Sequence, residues 1–233
     1  MWIFAIIGFI VILIIIINAA NNSEGPRDYN HYNSTFYRES SSSVDKTEND
    51  IIGEEGEKYF KYYANIIEAK FDSHIFSDII IQDYKRRICE IDYLIINSRG
   101  IFVLELKNWA GDIYGKDDDE NWEQLLGYDH STRHTHHNPI RQNQNQVNIV
   151  KNYLELDDFV YGKVVFLSNR LGFIESSSTT IQERVSDFIQ EQEQIFTKQE
   201  VLGFVEKIKR FKDNPIMSHE EYVMWLNQRY NKN

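Results

Sequence analysis

The sequence predicts an α/β domain of the α+β kind, with buried strands and amphipathic helices packed together. Three observations carry this. "IDYLIINSRGIFVLELKN" at 91–108 holds two apolar runs around the break Ser98-Arg99-Gly100, each of strand rather than helix length. "GKVVFLS" at 162–168 is a further buried-looking run. Before and after these, apolar residues recur at helical spacing. Of the 233 residues 42% are hydrophobic and 14% aromatic, which is enough to build a packed core and excludes global disorder.

The chain opens with "MWIFAIIGFIVILIIIINAA", which has no charged side chain before Glu24. A membrane span needs ~20 apolar residues, with ~17 as the lower limit. A cleaved signal would carry a basic n-region, and none is present. Residues 1–20 are therefore expected to form a retained transmembrane anchor. Arg27 and Arg38 follow on the domain side, so the positive-inside bias predicts a single-pass protein with its domain facing the cytoplasm. Residues 21–50 are polar, rich in Ser and Asn, and lack apolar periodicity. They read as a flexible linker, whose roughly thirty residues reach about 30 Å.

From Ile51 the character changes. "IIGEEGEKYFKYYANIIEAK" sets Tyr59, Phe60, Tyr63, Ile66 and Ile67 at helical spacing. "HIFSDIIIQD" predicts a strand, followed by the basic turn Lys85-Arg86-Arg87. The two strands of 91–108 come next, then a short one at "GDIYG". Residues 116–138 are polar and predict irregular structure. "PIRQNQNQVNIVKNYLEL" predicts a helix with Pro139 near its start. "KQEVLGFVEKIKRF" and "SHEEYVMWLNQRY" predict two more, the last with a Ser218/Glu221 capping box.

Charges at the ends of the surest core strands need a reason. On the second strand Ile101, Val103, Glu105 and Lys107 share one face, and Phe102, Leu104 and Leu106 the other. Both faces are apolar until the end, as in a central strand covered on both sides. On the first strand Asp92 should share a face with Ile88, Glu90, Leu94 and Ile96. Pairing about the turn would bring Asp92 near Glu105. Two buried carboxylates together are costly unless a cation sits between them. Mg²⁺ suits such a pair, because it takes oxygen ligands, keeps several waters and binds phosphate oxygens. Lys107 would orient a water or neutralise charge on phosphorus. The plain alternative is a strand-end ion pair worth ~0–1 kcal/mol.

Further pieces accompany this core. "GEEGE" at 53–57 opens the first helix, Trp122 follows "EIDYLIINSRGIFVLELKNWAGDIYG" at 90–115, and "NPIRQN" at 138–143 and "VVFLSN" at 164–169 come in order. The set resembles the nuclease-related domain (NERD) family, a branch of the restriction-endonuclease-like fold with a D…(D/E)xK site. The resemblance implies a central mixed β-sheet flanked by helices, here preceded by the N-terminal transmembrane helix. It implies a metal-dependent nuclease using Mg²⁺ or Mn²⁺, with Asp92, Glu105 and Lys107 as the core site. Glu57 would be a third metal carboxylate and Gln142 an accessory on the later helix. The expected organisation is an anchor at 1–20, a linker at 21–50, the nuclease-like domain at 51–170 and a helical extension at 171–233.

The expected substrate is nucleic acid, DNA ahead of RNA. The net charge of −11 argues against non-specific binding to a polyanion without a metal to invert the local sign. That charge favours the competing reading, a membrane-bound scaffold that keeps the fold without catalysis. "HSTRHTHH" offers His130 and His134 at i,i+4, a zinc spacing on a helix, but its Ser and Thr are poor helix formers and a polar loop is expected. "DDDE" at 117–120 lacks calcium-loop spacing and reads as a solvated turn. The single cysteine, Cys89, excludes an internal disulfide.

Overall fold

The computed structural model describes residues 48–127, 129–167 and 173–230, with side chains from Tyr59 to Arg229 within these. The expected anchor and most of the linker lie outside the described residues. Among the described residues no helix is long and apolar enough to cross a membrane.

Helix α1 (Glu48–Phe71) leads into strands β1 (His74–Gln82), β2 (Ile88–Asn97) and β3 (Gly100–Lys107). A second set follows: β4 (Asp112–Lys116), β5 (Asn121–Leu126) and β6 (Thr132–His137). Helix α2 (Pro139–Leu154), with Pro139 in its first turn and Asn138 accepting from the Ile140 amide, leads to β7 (Val160–Phe166). Then come β8 (Phe173–Glu175), β9 (Thr179–Ile181), and helices α3 (Val185–Gln190), α4 (Lys198–Asp213) and α5 (His219–Tyr230). The Ser218/Glu221 capping box forms as predicted: the Ser218 amide donates to Glu221 at 2.8 Å, and the Glu221 amide to Ser218 Oγ at 3.2 Å.

The larger sheet has the order β1-β2-β3-β7-β9. Its first three strands are antiparallel, while β7 and β9 join in parallel, so the sheet is mixed. β3 is central, and every residue from Gly100 to Leu106 is buried. Ile101 and Val103 face a core shared with Ile149 and Val150 of α2 and Val201, Val205 and Ile208 of α4. Phe102, Leu104 and Leu106 face the opposite core, built with Phe60, Ala64 and Ile67 of α1 and Val185 and Ile189 of α3. The alternation read from 101–107 is therefore the packing observed. Phe60 and Ile67 are buried as expected, but Ile66 lies on the outer side of α1 and is exposed.

Residues 116–138 are not irregular. β4, β5, β6 and β8 form a second sheet of order β6-β5-β4-β8. The histidine-rich stretch is its edge strand, pairing His134 with Gln124 and His136 with Trp122. A solvated edge strand needs no apolar alternation, so periodicity could not reveal it. Trp122 is fully buried and stacks over Phe166 of β7 at 6.3 Å and 6° between planes, joining the two sheets. Gly115 makes room for it, since a Cβ there would stand 2.3 Å from the indole.

β2 also departs from simple alternation. Cys89 and Ile91, not Ile88 and Glu90, join the core that contains Leu94 and Ile96. The β1–β2 ladder runs to Ser77/Tyr93 and resumes at Ile79/Ile91, skipping Asp78 and Asp92. Asp78 there adopts a left-handed φ of 52°, unusual for a residue with a Cβ. The break shifts the side-chain phase, so Ile88 and Glu90 do not share the face of Leu94 and Ile96. Buried Cys89 has its thiol pushed up to about 12 by burial and by the nearby Asp83 and Glu105 carboxylates, so it stays protonated and inert.

Candidate active site

The β2–β3 ladder pairs Asn97/Gly100 through Tyr93/Leu104 and then stops. Continued in that register, the next pair would be Asp92 and Glu105. β3 instead carries on beside β7 alone, through Glu105/Val164 to Lys107/Phe166. Where β2 peels away, the Leu106 N–H would lose its acceptor. Asp92 Oδ2 takes that hydrogen bond at 2.7 Å. The carboxylate thus does a carbonyl's work and is pinned one residue from Glu105, at the mouth of the split.

Glu105 is 2% exposed, and its two oxygens have different partners. Oε1 accepts from Lys107 Nζ at 2.5 Å, and Oε2 from Gln146 Nε2 at 2.6 Å. Lys107 Nζ also reaches Gln142 Oε1 at 3.4 Å. Asp92, Glu105, Lys107 and Gln142 are therefore drawn together at the carboxyl end of the central strand. Glu57 sits on α1, but its side chain lies outside the described ones.

Periodicity alone undervalued several neighbours. Gln142 is exposed, whereas Gln146, one turn on, is buried at 2%. Asn143, also buried, donates to the Val103 carbonyl at 3.0 Å and to Gln146 Oε1 at 3.2 Å. Trp109, just beyond Lys107, places its ring centroid 5.7 Å from Nζ and stacks on His136 at 4.3 Å. His136 hydrogen-bonds Gln124 Oε1 at 2.8 Å, and Gln124 Nε2 donates to the Ala110 carbonyl at 2.7 Å. Burial first, then the charges of His134 and Lys107, hold the His136 ring below its ordinary pKa, so it is neutral at neutral pH.

The remaining candidates fall elsewhere. His130 pairs with Asp112 at 2.8 Å just before β6, so His130 and His134 share no helix face. The DDDE stretch is an exposed turn closed by the Lys116 amide on Asp119 at 2.8 Å. In the basic turn, Arg87 is engaged by buried Asp83 at 2.6 Å, which leaves Lys85 and Arg86 as its exposed cations.

The family model of the nuclease-related domain matches residues 52–167. The chain belongs to the nuclease-related domain family. An uncharacterized protein of Bacillus anthracis is 25% identical over 103 residues, covering 44% of this chain and 47% of that protein. The chain thus spans about half the length of the curated relative it matches. No solved structure matches it. The matched segment of the nuclease-related domain runs from α1 to the end of β7, and so contains all the residues gathered at the split between β2 and β3.

The donor set fits a hard divalent cation. Asp92 and Glu105 both offer carboxylate oxygens, and Lys107 already brings a positive charge to Glu105 Oε1. Among the described residues no group of three or more His, Cys, Asp or Glu is placed to hold a metal ion. Two carboxylates with the balance made up by water and substrate oxygens is the arrangement Mg²⁺ prefers.

Proposed function

We propose that this nuclease-related domain is a divalent-metal-dependent nuclease of restriction-endonuclease-like fold that hydrolyses nucleic-acid phosphodiesters, DNA first. One observation carries the reading: Asp92 leaves the strand ladder and binds the amide of Leu106, the residue between the paired Glu105 and Lys107, where β3 ends. Asp92 and Glu105 would hold Mg²⁺ or Mn²⁺. Such an ion, when bound, supplies a water of lowered pKa and a Lewis acid for a phosphoryl oxygen. Lys107 would leave Glu105 Oε1 and donate to a non-bridging phosphate oxygen as negative charge builds there. Gln142, already within reach of Lys107 Nζ, would steady the ammonium in that position. In the hydrolysis the oxygen of water bonds to phosphorus, the bond to the leaving sugar oxygen breaks, and that oxygen takes up a proton.

The test is cleavage by the full-length chain of single- and double-stranded DNA and RNA, with Mg²⁺, Mn²⁺ or EDTA. Cleavage that needs metal and stops with EDTA is expected. The net charge of −11 favours one competitor, a non-catalytic scaffold. That reading wins if no nucleic acid is cut with either metal while a partner still binds.

The apolar N-terminal run supports a membrane anchor at residues 1–20, with the nuclease domain held on the cytoplasmic side by the linker. Cell fractionation is expected to place the full-length chain with membranes. Recovery in the soluble fraction would remove the anchor from the proposal.

A further inference from the structure

We propose that Gln146 is a positioning residue that holds the Glu105 carboxylate by Oε2, so that Oε1 is the oxygen offered to a cation and Lys107 the group that gives it up. The inference deepens the metal-dependent reading of the site and rests on it.

Gln146 is buried on the face of α2 turned to the sheet, and each of its polar atoms is committed. Its amide nitrogen has two hydrogens, and both are used. One goes to Glu105 Oε2 at 2.6 Å, the other to the Glu90 carbonyl at 2.9 Å. Its Oε1 accepts from Asn143 Nδ2 at 3.2 Å, and Asn143 is itself anchored on the Val103 carbonyl of β3. This fixes the amide the right way round, with nitrogen rather than oxygen toward the carboxylate. The Glu90 carbonyl lies on β2 just before the split, and Val103 lies on β3 just before Glu105. Gln146 and Asn143 therefore tie α2 to both strands on either side of the opening.

The close approach has a backbone cause. A Cβ at Gly162 of β7 would stand 2.3 Å from Asn143 Oδ1 and 2.8 Å from Val147. Glycine there leaves room for the buried Asn143 side chain, which orients the Gln146 amide. With Oε2 held this way, the Glu105 carboxylate is fixed in rotation and turns Oε1 toward Lys107. Oε1, which Lys107 Nζ now meets at 2.5 Å, would be the oxygen that Glu105 offers to a cation. An outer partner of a ligating carboxylate typically contributes about 10–100-fold to metal affinity.

The test uses Mn²⁺ titration calorimetry and thermal denaturation of the full-length chain. Gln146→Met keeps the length and loses the donor, and is expected to raise the Mn²⁺ Kd about 10–100-fold. Gln146→Asn, one methylene short of Glu105, should fail to rescue it. Val150→Ala, which opens a cavity on the same helix, should lower Tm yet leave the Mn²⁺ Kd unchanged. This separates positioning from general loosening of α2. Wild-type binding with an unaltered Kd in Gln146→Met overturns the positioning role and leaves the metal site standing. Wild-type protein that binds no Mn²⁺ overturns the metal site, and the positioning role with it.

Discussion

Glu105→Ala is expected to abolish metal-dependent cleavage and Mn²⁺ binding, whereas Lys107→Ala loses cleavage but keeps the metal. The difference follows from what each side chain can donate. Glu105 supplies an oxygen that nothing else at the end of β3 replaces. An ammonium is no ligand, and its removal frees Glu105 Oε1 from the 2.5 Å contact it now makes. Mn²⁺ affinity of Lys107→Ala should therefore be unchanged or tighter, because a neighbouring cation opposes a second one. The cleavage rate should fall about 10²–10³-fold, the usual cost of losing one donor aimed at developing charge. Lys107→Arg should not restore it, since a planar guanidinium cannot place its charge where the ammonium sat. The fold should survive. Glu105→Ala leaves the Gln146 amide one acceptor short, a cost of about 1–3 kcal/mol, below the 5–15 kcal/mol typical of a domain. Nucleic-acid cleavage, calorimetry and circular dichroism measured on the same samples check all three statements. Intact cleavage by Glu105→Ala would show the site is misassigned.

Trp122→Ala should cost about 3–5 kcal/mol, as for a large aromatic taken out of a packed core. The indole is fully buried, stacks on Phe166 and donates from Nε1 to the Lys116 carbonyl at 3.0 Å. That carbonyl also accepts from Asn138 at 3.2 Å, so the loss is chiefly one of packing. The effect should reach the site. Trp122 joins the second sheet to β7, and His136, which stacks on Trp109 beside Lys107, belongs to that sheet. Urea denaturation gives the first effect and cleavage rate the second. A midpoint indistinguishable from wild type would sink the argument.

The sequence made the central strand plain because β3 is buried on both faces, and a period of two survives there without interference. It also suggested that pairing about the turn brings Asp92 toward Glu105, but how near depends on a register that no pattern fixes. It could not show how Asp92 arrives. The phase break at Asp78 and Asp92 depends on a left-handed aspartate, which no pattern announces. β6 was illegible for a different reason: Thr132–His137 is almost wholly exposed, so its strand geometry comes from pairing alone, while β5 alternates but buries a glutamine, Gln124, beside Trp122. Gln142 was expected at the site, yet it is Gln146, one turn on, that touches the carboxylate, and which of the two does so depends on how α2 packs. Gly162, in a strand read only as apolar, makes room for the Asn143 side chain between them.

The left-handed turn at Asp78 also bears on solubility. β1 is an edge of the larger sheet among the described residues, and its sequence "HIFSDIIIQ" ends in three consecutive isoleucines. An unbroken apolar edge of that kind is a template on which a second chain can add a strand, the first step toward aggregation. Asp78 puts an exposed negative charge and a kink into the middle of it, and a flat incoming strand meets both. The same irregularity that frees Asp92 from the ladder on the inner side of β2 thus guards the outer border of the sheet against self-association.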